Sequence, residues 1–335
     1  MPHAFWFKSL KWVLLMACSQ VVAKEVKIHV IDDLGAPVAG AKSSIFFVNS
    51  RNDERRDGLT DIAGVYSASG SSTNSFGFTV SKDGHYPARV EGLTRDKDHD
   101  VKVVLSRIVK PIPLYSWRGD GSEAVGFPVH NEWLGFDFEA ADWVAPYGKG
   151  KTTDILLRFR NEFKGWEDGL ARDIEALMAE TKELAKLRKK EWTMEWFKMV
   201  NGKWDGVMDV SFPNEGDGMF EEKRFLEYSR LKMPHEAPMD GYATTRRYEA
   251  CNYHYRPVRE KVGFFLRTRV KRDPQGRVVS ANYTKLIGDL NVNAATGRVE
   301  MFYYFNPVPN DRNLEFDPKE NLFPKDKPGA NVYDP

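Results

Sequence analysis

Short apolar runs, broken at close intervals by turn residues, constrain this chain more than any other feature. Val26, Ile28 and Val30 alternate with Lys27 and His29, the pattern of a strand with one buried face. Residues 41–48, 65–66, 76–80 and 101–105 continue the series. Between them stand Asp32-Asp33-Leu34-Gly35-Ala36-Pro37, a charged loop over 53–58, Thr60-Asp61-Ile62-Ala63-Gly64 and Lys82-Asp83-Gly84. Acidic residues, glycine and proline in these clusters make turns. Several strands this short, at this spacing, predict a β-sandwich over 24–108.

The order of those turns resembles a family. A strand ending in Asp leads to Gly-Ala-Pro-Val-Ala-Gly-Ala (35–41), then Thr-Asp-x-x-Gly-x-Tyr (60–66), then Lys-Asp-Gly-x-Tyr (82–86), then a Val-rich strand. This resembles the carboxypeptidase regulatory-like domain, a transthyretin-like sandwich, over about a quarter of the chain. His85 departs from the pattern, since the family often places an aromatic directly after the glycine. The resemblance implies a fold and an exported setting. It implies no activity, because function lives in sites grafted on folds.

Residues 1–23 read as a signal peptide. Lys8 and Lys11 carry positive charge, residues 12–17 are apolar, and Val21-Val22-Ala23 offers a small-residue cleavage site before Lys24. The run is too short for a bilayer, which takes ~20 apolar residues. Leu15-Met16-Ala17-Cys18 offers a second route, a lipobox that would leave Cys18 lipidated. Plain cleavage is preferred, because Lys11 leaves few uncharged residues before Cys18. Either route exports the chain, to the periplasm or beyond, or through Cys18 to the outer membrane as a lipoprotein. Cys251 is then left without an intrachain partner and is expected as a small buried apolar residue.

Lys110-Pro111-Ile112-Pro113 is a stiff connector. It places a second domain at 114–335, expected as an α+β unit with an antiparallel sheet and one long helix. Leu170, Ile174, Leu177, Thr181 and Leu184 set that helix, which ends in Arg188-Lys189-Lys190. Residues 192–200 and 207–212 around Asn201-Gly202 read as a hairpin. Residues 262–270, 278–283, 286–292 and 299–305 read as a meander, with turns at Asp273-Pro274-Gln275-Gly276 and Ala295-Thr296-Gly297. The Pro- and Asn-rich tail after Asn306 should wrap the sheet. The segment from 114 on resembles exported bacterial proteins of uncharacterised role, which brings no function with it.

Several chemistries are disfavoured. The 49 Lys and Arg nearly balance the 48 Asp and Glu, so no broad basic surface points to nucleic acid. No histidine is followed by Glu three residues on, and there is no His-Glu-x-x-His, which disfavours a zinc peptidase site; no metal or cofactor is implied. Residues 145–152 (Ala-Pro-Tyr-Gly-Lys-Gly-Lys-Thr) mimic a phosphate loop, but a strand-like segment follows where a helix should. Arg118-Gly119-Asp120 is too short a motif to weigh. Cys251 and His254, in an alternating Tyr/His/Tyr stretch, would face opposite sides of a strand.

The stretch 115–154 remains. It sets Trp117, Trp133, Trp143 and Tyr147 among carboxylates including Asp142. Such rings either form the core of a loop-rich layer or stack against sugar faces while carboxylates accept hydroxyl hydrogen bonds. Trp117, Trp133, Asp142, Trp143 and Tyr147 are therefore the candidate ligand-binding residues. The sequence favours a non-enzymatic, exported recognition or accessory module for a glycan or a cell-envelope protein. The alternative is a polysaccharide or cell-wall hydrolase using paired carboxylates of this stretch.

Overall fold

The computed structural model describes residues 24–48, 53–70, 75–94, 99–166, 174–254 and 261–335. The expected leader, its cleavage site and Cys18 lie outside the described residues. The chain falls into two compact units, Met1–Lys82 with Arg89–Val103, and Asp83–Ala88 with Val104–Pro335.

The first unit is mostly β. Its strands are β1 (Lys24–Asp32), β2 (Lys42–Val48), β3 (Glu54–Leu59), β4 (Val65–Gly70), β5 (Ser75–Ser81), β6 (Ala88–Thr94) and β7 (His99–Leu105). They form two sheets, ordered β4-β1-β7 and β3-β2-β5-β6. Val26, Ile28 and Val30 are fully buried, as their alternation requires. The sheets meet face to face as a β-sandwich. A Cβ on Gly70 would lie 2.2 Å from the Phe47 ring, and the Phe76 and His99 rings are 5.0 Å apart. The expected loop over 53–58 is instead the edge strand β3. Its Arg55, Arg56 and Asp57 point to water while the backbone pairs with β2, and charge is what an exposed edge tolerates best.

Aspartate sets the turns. Asp32 Oδ1 accepts the N–H groups of Leu34 and Ala36, and Asp61 Oδ1 those of Ala63 and Val65. Asp273 Oδ1 does the same for Gln275 and Arg277 in the second unit. Each turn closes on a glycine at positive φ: Gly35 at 85°, Gly64 at 75° and Gly276 at 78°. Glycine carries no Cβ penalty there.

The second unit has two larger antiparallel sheets. Its elements are β8 (Tyr115–Gly119), β9 (Val125–Gly126), β10 (Leu134–Asp137), β11 (Asp142–Trp143), β12 (Ile155–Trp166), α1 (Ile174–Leu187), α2 (Met194–Asn201), β13 (Gly202–Ser211), β14 (Gly218–Glu222), β15 (Thr245–Cys251), β16 (Gly263–Arg272), β17 (Val278–Ile287), β18 (Asn291–Val292) and β19 (Arg298–Asn306). One sheet runs β11-β10-β12-β13-β15; the other runs β14-β16-β17-β19-β18, with β8 and β9 also paired to β19. Phe136, Leu157, Phe159 and Met208 of the first sheet share a buried cluster with Phe264, Leu286, Tyr303 and Phe305 of the second.

The other face of the larger sheet is covered as expected by the tail. Leu314, Phe316 and Val332 pack with Phe265, Tyr283 and Tyr304. Lys285 lies on this apolar side. It is fully buried, its Nζ has no hydrogen-bond partner, and it sits 4.3 Å from the centre of the Tyr304 ring. Burial lowers its pKa to about 7, partly offset by the Glu315 charge. Glu315 is itself spoken for: it accepts from Tyr86 Oη at 2.9 Å and from the N–H groups of Val109 and Lys110.

One expectation fails around 192–212. Residues 192–200 do not form the first arm of a hairpin. Thr193 Oγ1 accepts the Trp196 N–H at 3.0 Å and starts α2, which puts Phe197, fully buried, against Trp166. Apolar residues at 194, 197 and 200 fit one helix face as well as a strand, and the cap decides. The expected long helix is present as α1 from Ile174, its expected start at Leu170 lying outside the described residues; Thr181 and Ala185 are buried, and Thr181 Oγ1 receives the Asn201 carboxamide.

Candidate functional site

The aromatic stretch divides between core and surface. Trp117 and Trp143 are each only 4% exposed, and their indole N–H groups donate to the carbonyls of Pro328 (2.9 Å) and Gly126 (2.8 Å). Gly119 and Gly329 leave room for the first of them; a Cβ on Gly119 would lie 1.9 Å from the Trp117 ring. Both indoles are packed with Phe136, and Trp143 also with Phe127. These two rings have no face open to a ligand. Asp142 accepts the N–H groups of Trp143 and Lys149, so it shapes the 142–150 loop. Trp133 and Tyr147 remain at the surface, 42% and 41% exposed. The Arg158 guanidinium lies 4.6 Å from the centre of the Trp133 ring, and Tyr147 Oη donates to Glu132.

Three further carboxylates of the stretch converge on one arginine. Arg269 gives Nε and Nη2 to the two oxygens of Asp154, at 2.7 and 2.9 Å, and Nη1 to Glu139; Nη2 also lies 3.5 Å from Asp137. Arg269 sits at φ 55°, inside a register shift of β16, and that bulge turns its side chain toward the three acids. Asp154 is fully buried, and burial raises its pKa despite the arginine. Asp137 and Asp154 are buried, and all three acids are engaged by Arg269. Asp137 also holds the phosphate-loop mimic: its Oδ2 accepts the N–H groups of Lys151 and Thr152. The donors that would cradle a phosphate are spent on a carboxylate, and β12 follows in place of a helix.

A second charged cluster lies across β12, β13 and β15. Asp209 stands opposite Arg158 on one side and Arg247 on the other. It accepts from Arg247 (2.7 Å), Arg160 (2.7 Å) and Arg158 (3.0 Å). Burial opposes ionisation there, but the three guanidiniums outweigh it and bring the pKa down to about 2.

A large cavity lies elsewhere, and sequence reasoning missed it. A polar cleft of about 740 Å³ is lined by 251–254 at the end of β15, by the β18–β19 hairpin from Asn291 to Glu300, and by the turn at Gly121 and Ala124. The strand expected to carry Cys251 and His254 on opposite faces ends at Cys251; the chain then bends, and the half-buried thiol donates to the His254 carbonyl at 3.4 Å. Cys251 is thus a wall of the cleft, not a core residue. The neighbouring Tyr253 and His254 rings lie 4.6 Å apart on the same wall.

Local hydrogen bonds fix the opposite wall. Asn293 Oδ1 accepts the N–H groups of Ala295 and Thr296 and shapes the hairpin turn. Asn161 of β12 clamps that turn through the carbonyls of Ala294 and Ala295. Arg298 ties down the carbonyls of Ser122 and Ala124, and Glu300 accepts from Asn291 Nδ2 at 2.9 Å. The result is a preformed set of carboxylate, guanidinium, carboxamide, phenol and imidazole groups. Among the described residues no three His, Cys, Asp or Glu side chains are placed to hold a metal ion, and no helix is long and apolar enough to cross a membrane.

No family model matches the sequence, and no curated protein matches it. Solved structures align loosely. Catechol 1,2-dioxygenase from Pseudomonas arvilla aligns at 14% identity and a TM-score of 0.24, over 29% of this chain and 56% of that one; this chain therefore spans about half its length. A DUF3823 family protein from Parabacteroides merdae aligns at 8% identity and TM-score 0.19, over 84% and 95% of the two chains. The major pilin subunit BcpA of Bacillus cereus aligns at 9% identity and TM-score 0.21, over 87% and 97%. Likenesses this loose carry no argument about what this chain does.

Proposed function

We propose that this protein is an exported, non-enzymatic recognition module whose second unit binds a hydroxyl-rich ligand, a glycan, in the polar cleft. The observation that carries the reading is the cleft itself. Its volume lies in the range of small-ligand sites. Its walls combine a carboxylate and carboxamides that accept and donate to hydroxyls with two adjacent rings, Tyr253 and His254, suited to stack on a sugar face. Internal hydrogen bonds already hold Asn293, Arg298 and Glu300, so little ordering cost falls on binding. Trp133 and Tyr147 supply exposed rings outside the cleft.

The first unit fits an accessory sandwich of the carboxypeptidase regulatory-like kind, taken to span 24–108, with export through the segment before Lys24. The turns at Asp32 and Asp61 support that reading. The test is retention of the mature protein on insoluble polysaccharides and peptidoglycan, assayed for cleavage as well. The reading expects retention without cleavage, lost in Glu300→Gln combined with Tyr253→Ala at an unchanged thermal midpoint. Release of reducing ends would replace it with the hydrolase.

A further inference from the structure

The polar cleft does not end at Glu300. A second cavity, of about 420 Å³, is lined by Arg118, Asp120, Gly288, Asp289 and Phe302, and shares Asn291 and Glu300 with the first. The two also meet along the turn, where Gly121 lines one and Asp120 the other. The hydrogen-bonded pair Asn291–Glu300 is therefore a waist between two chambers of one trench. β19 forms its long wall. From Arg298 to Phe302 that strand advances roughly 13 Å at about 3.3 Å per residue.

The second chamber has its own chemistry. Phe302 is half-buried, and the Arg118 guanidinium, 5.8 Å from the ring centre, braces it; Arg118 is held in turn by Asp120 at 2.6 Å. Phe302 stands opposite Arg118 in the β19–β8 pairing, so the two are fixed by the sheet. Asp289 is tethered to Arg246 at 3.6 Å. An aromatic face with carboxylates beside it repeats, beyond the waist, the mix found in the first chamber.

Resting on the reading of the cleft as a glycan site, we propose that the trench takes a linear oligosaccharide, with sugar units seated on both sides of the Asn291–Glu300 pair. A single sugar would occupy one chamber and leave the other in water. Each chamber adds contacts without a second loss of translational freedom, so affinity grows with chain length.

The experiment is isothermal titration of the full-length mature chain with cello-, xylo- and chito-oligosaccharides of one to six units. In the series that binds, affinity is expected to rise at least tenfold between the monosaccharide and the tetrasaccharide. In Phe302→Ala and Arg118→Ala, each checked for an unchanged thermal midpoint, the tetrasaccharide should bind no better than the monosaccharide. Equal affinity for one and four units in the wild type would overturn the two-chamber trench while leaving the glycan reading standing. A length dependence untouched by both variants would also overturn it. Failure of every series to bind would sink the glycan reading, and this inference with it.

Discussion

Lys285 offers a sharp test of how the second unit is held together. An ammonium with no hydrogen-bond partner, fully buried on an apolar face, opposes folding. In the unfolded chain the amine titrates at its ordinary 10.5; in the folded protein, burial brings it to about 7. Between those values the unfolded state holds the extra proton, so stability rises with pH across the window and the cost is fully present below it. At about 1.4 kcal/mol per unit, the cost is about 4 kcal/mol at pH 7, about 2 at pH 9 and under 1 at pH 10. Lys285→Met removes the charge and keeps the length. The ammonium contact with Tyr304 goes too, which takes back up to ~2 kcal/mol, so the net gain at pH 7 should be about 2–4 kcal/mol. Urea unfolding followed by tryptophan fluorescence suits the assay, because every tryptophan after residue 23 lies between 117 and 204, in the second unit. The gain must shrink steadily from pH 7 to pH 10. A gain independent of pH, or a loss of several kcal/mol at pH 7, would refute the reasoning.

Other outcomes follow from the same packing. Trp117→Ala and Trp143→Ala should each cost about 3–5 kcal/mol in urea unfolding, whereas Trp133→Ala and Tyr147→Ala should cost under about 1. Arg269→Met should cost about 3–5 kcal/mol, because it strands the buried Asp154, and adding Asp154→Asn should recover part of that loss. N-terminal sequencing of exported protein should start at Lys24; a lipidated Cys18 there would establish the lipobox route.

Local chemistry was legible and distant chemistry was not. The alternation of Val26, Ile28 and Val30, and the turns that begin at Asp32, Asp61 and Asp273, are complete within a few residues, so the sandwich could be read directly and the meander in outline. β17 runs unbroken from Val278 to Ile287, through the break expected between 283 and 286, and only Asn291–Val292 is left as the short β18. Where one pattern serves two structures, reading stalled: the apolar residues of 194–200 fit a strand until the Thr193 cap is seen. Ring composition alone could not separate Trp143 from Trp133. What buries the former is Phe127 and the Gly126 carbonyl, and what buries Trp117 is Pro328, some two hundred residues away. The cleft has no sequence motif, because 121–124, 251–254 and 291–300 meet only through the sheet. Its local traces were the Ala295-Thr296-Gly297 turn, visible as a turn and silent as a wall, and the Cys251–His254 stretch, read as opposite faces of a strand.

The location of binding is the central claim, and hydrogen–deuterium exchange tests it most directly. The mature chain is compared with and without a saturating concentration of an oligosaccharide taken from whichever polysaccharide retains it. Slowed exchange at 121–124, 251–254 and 291–302, with the strands of the first unit unchanged, is the predicted result. Protection confined to 133–147, or to the first unit, would contradict the account.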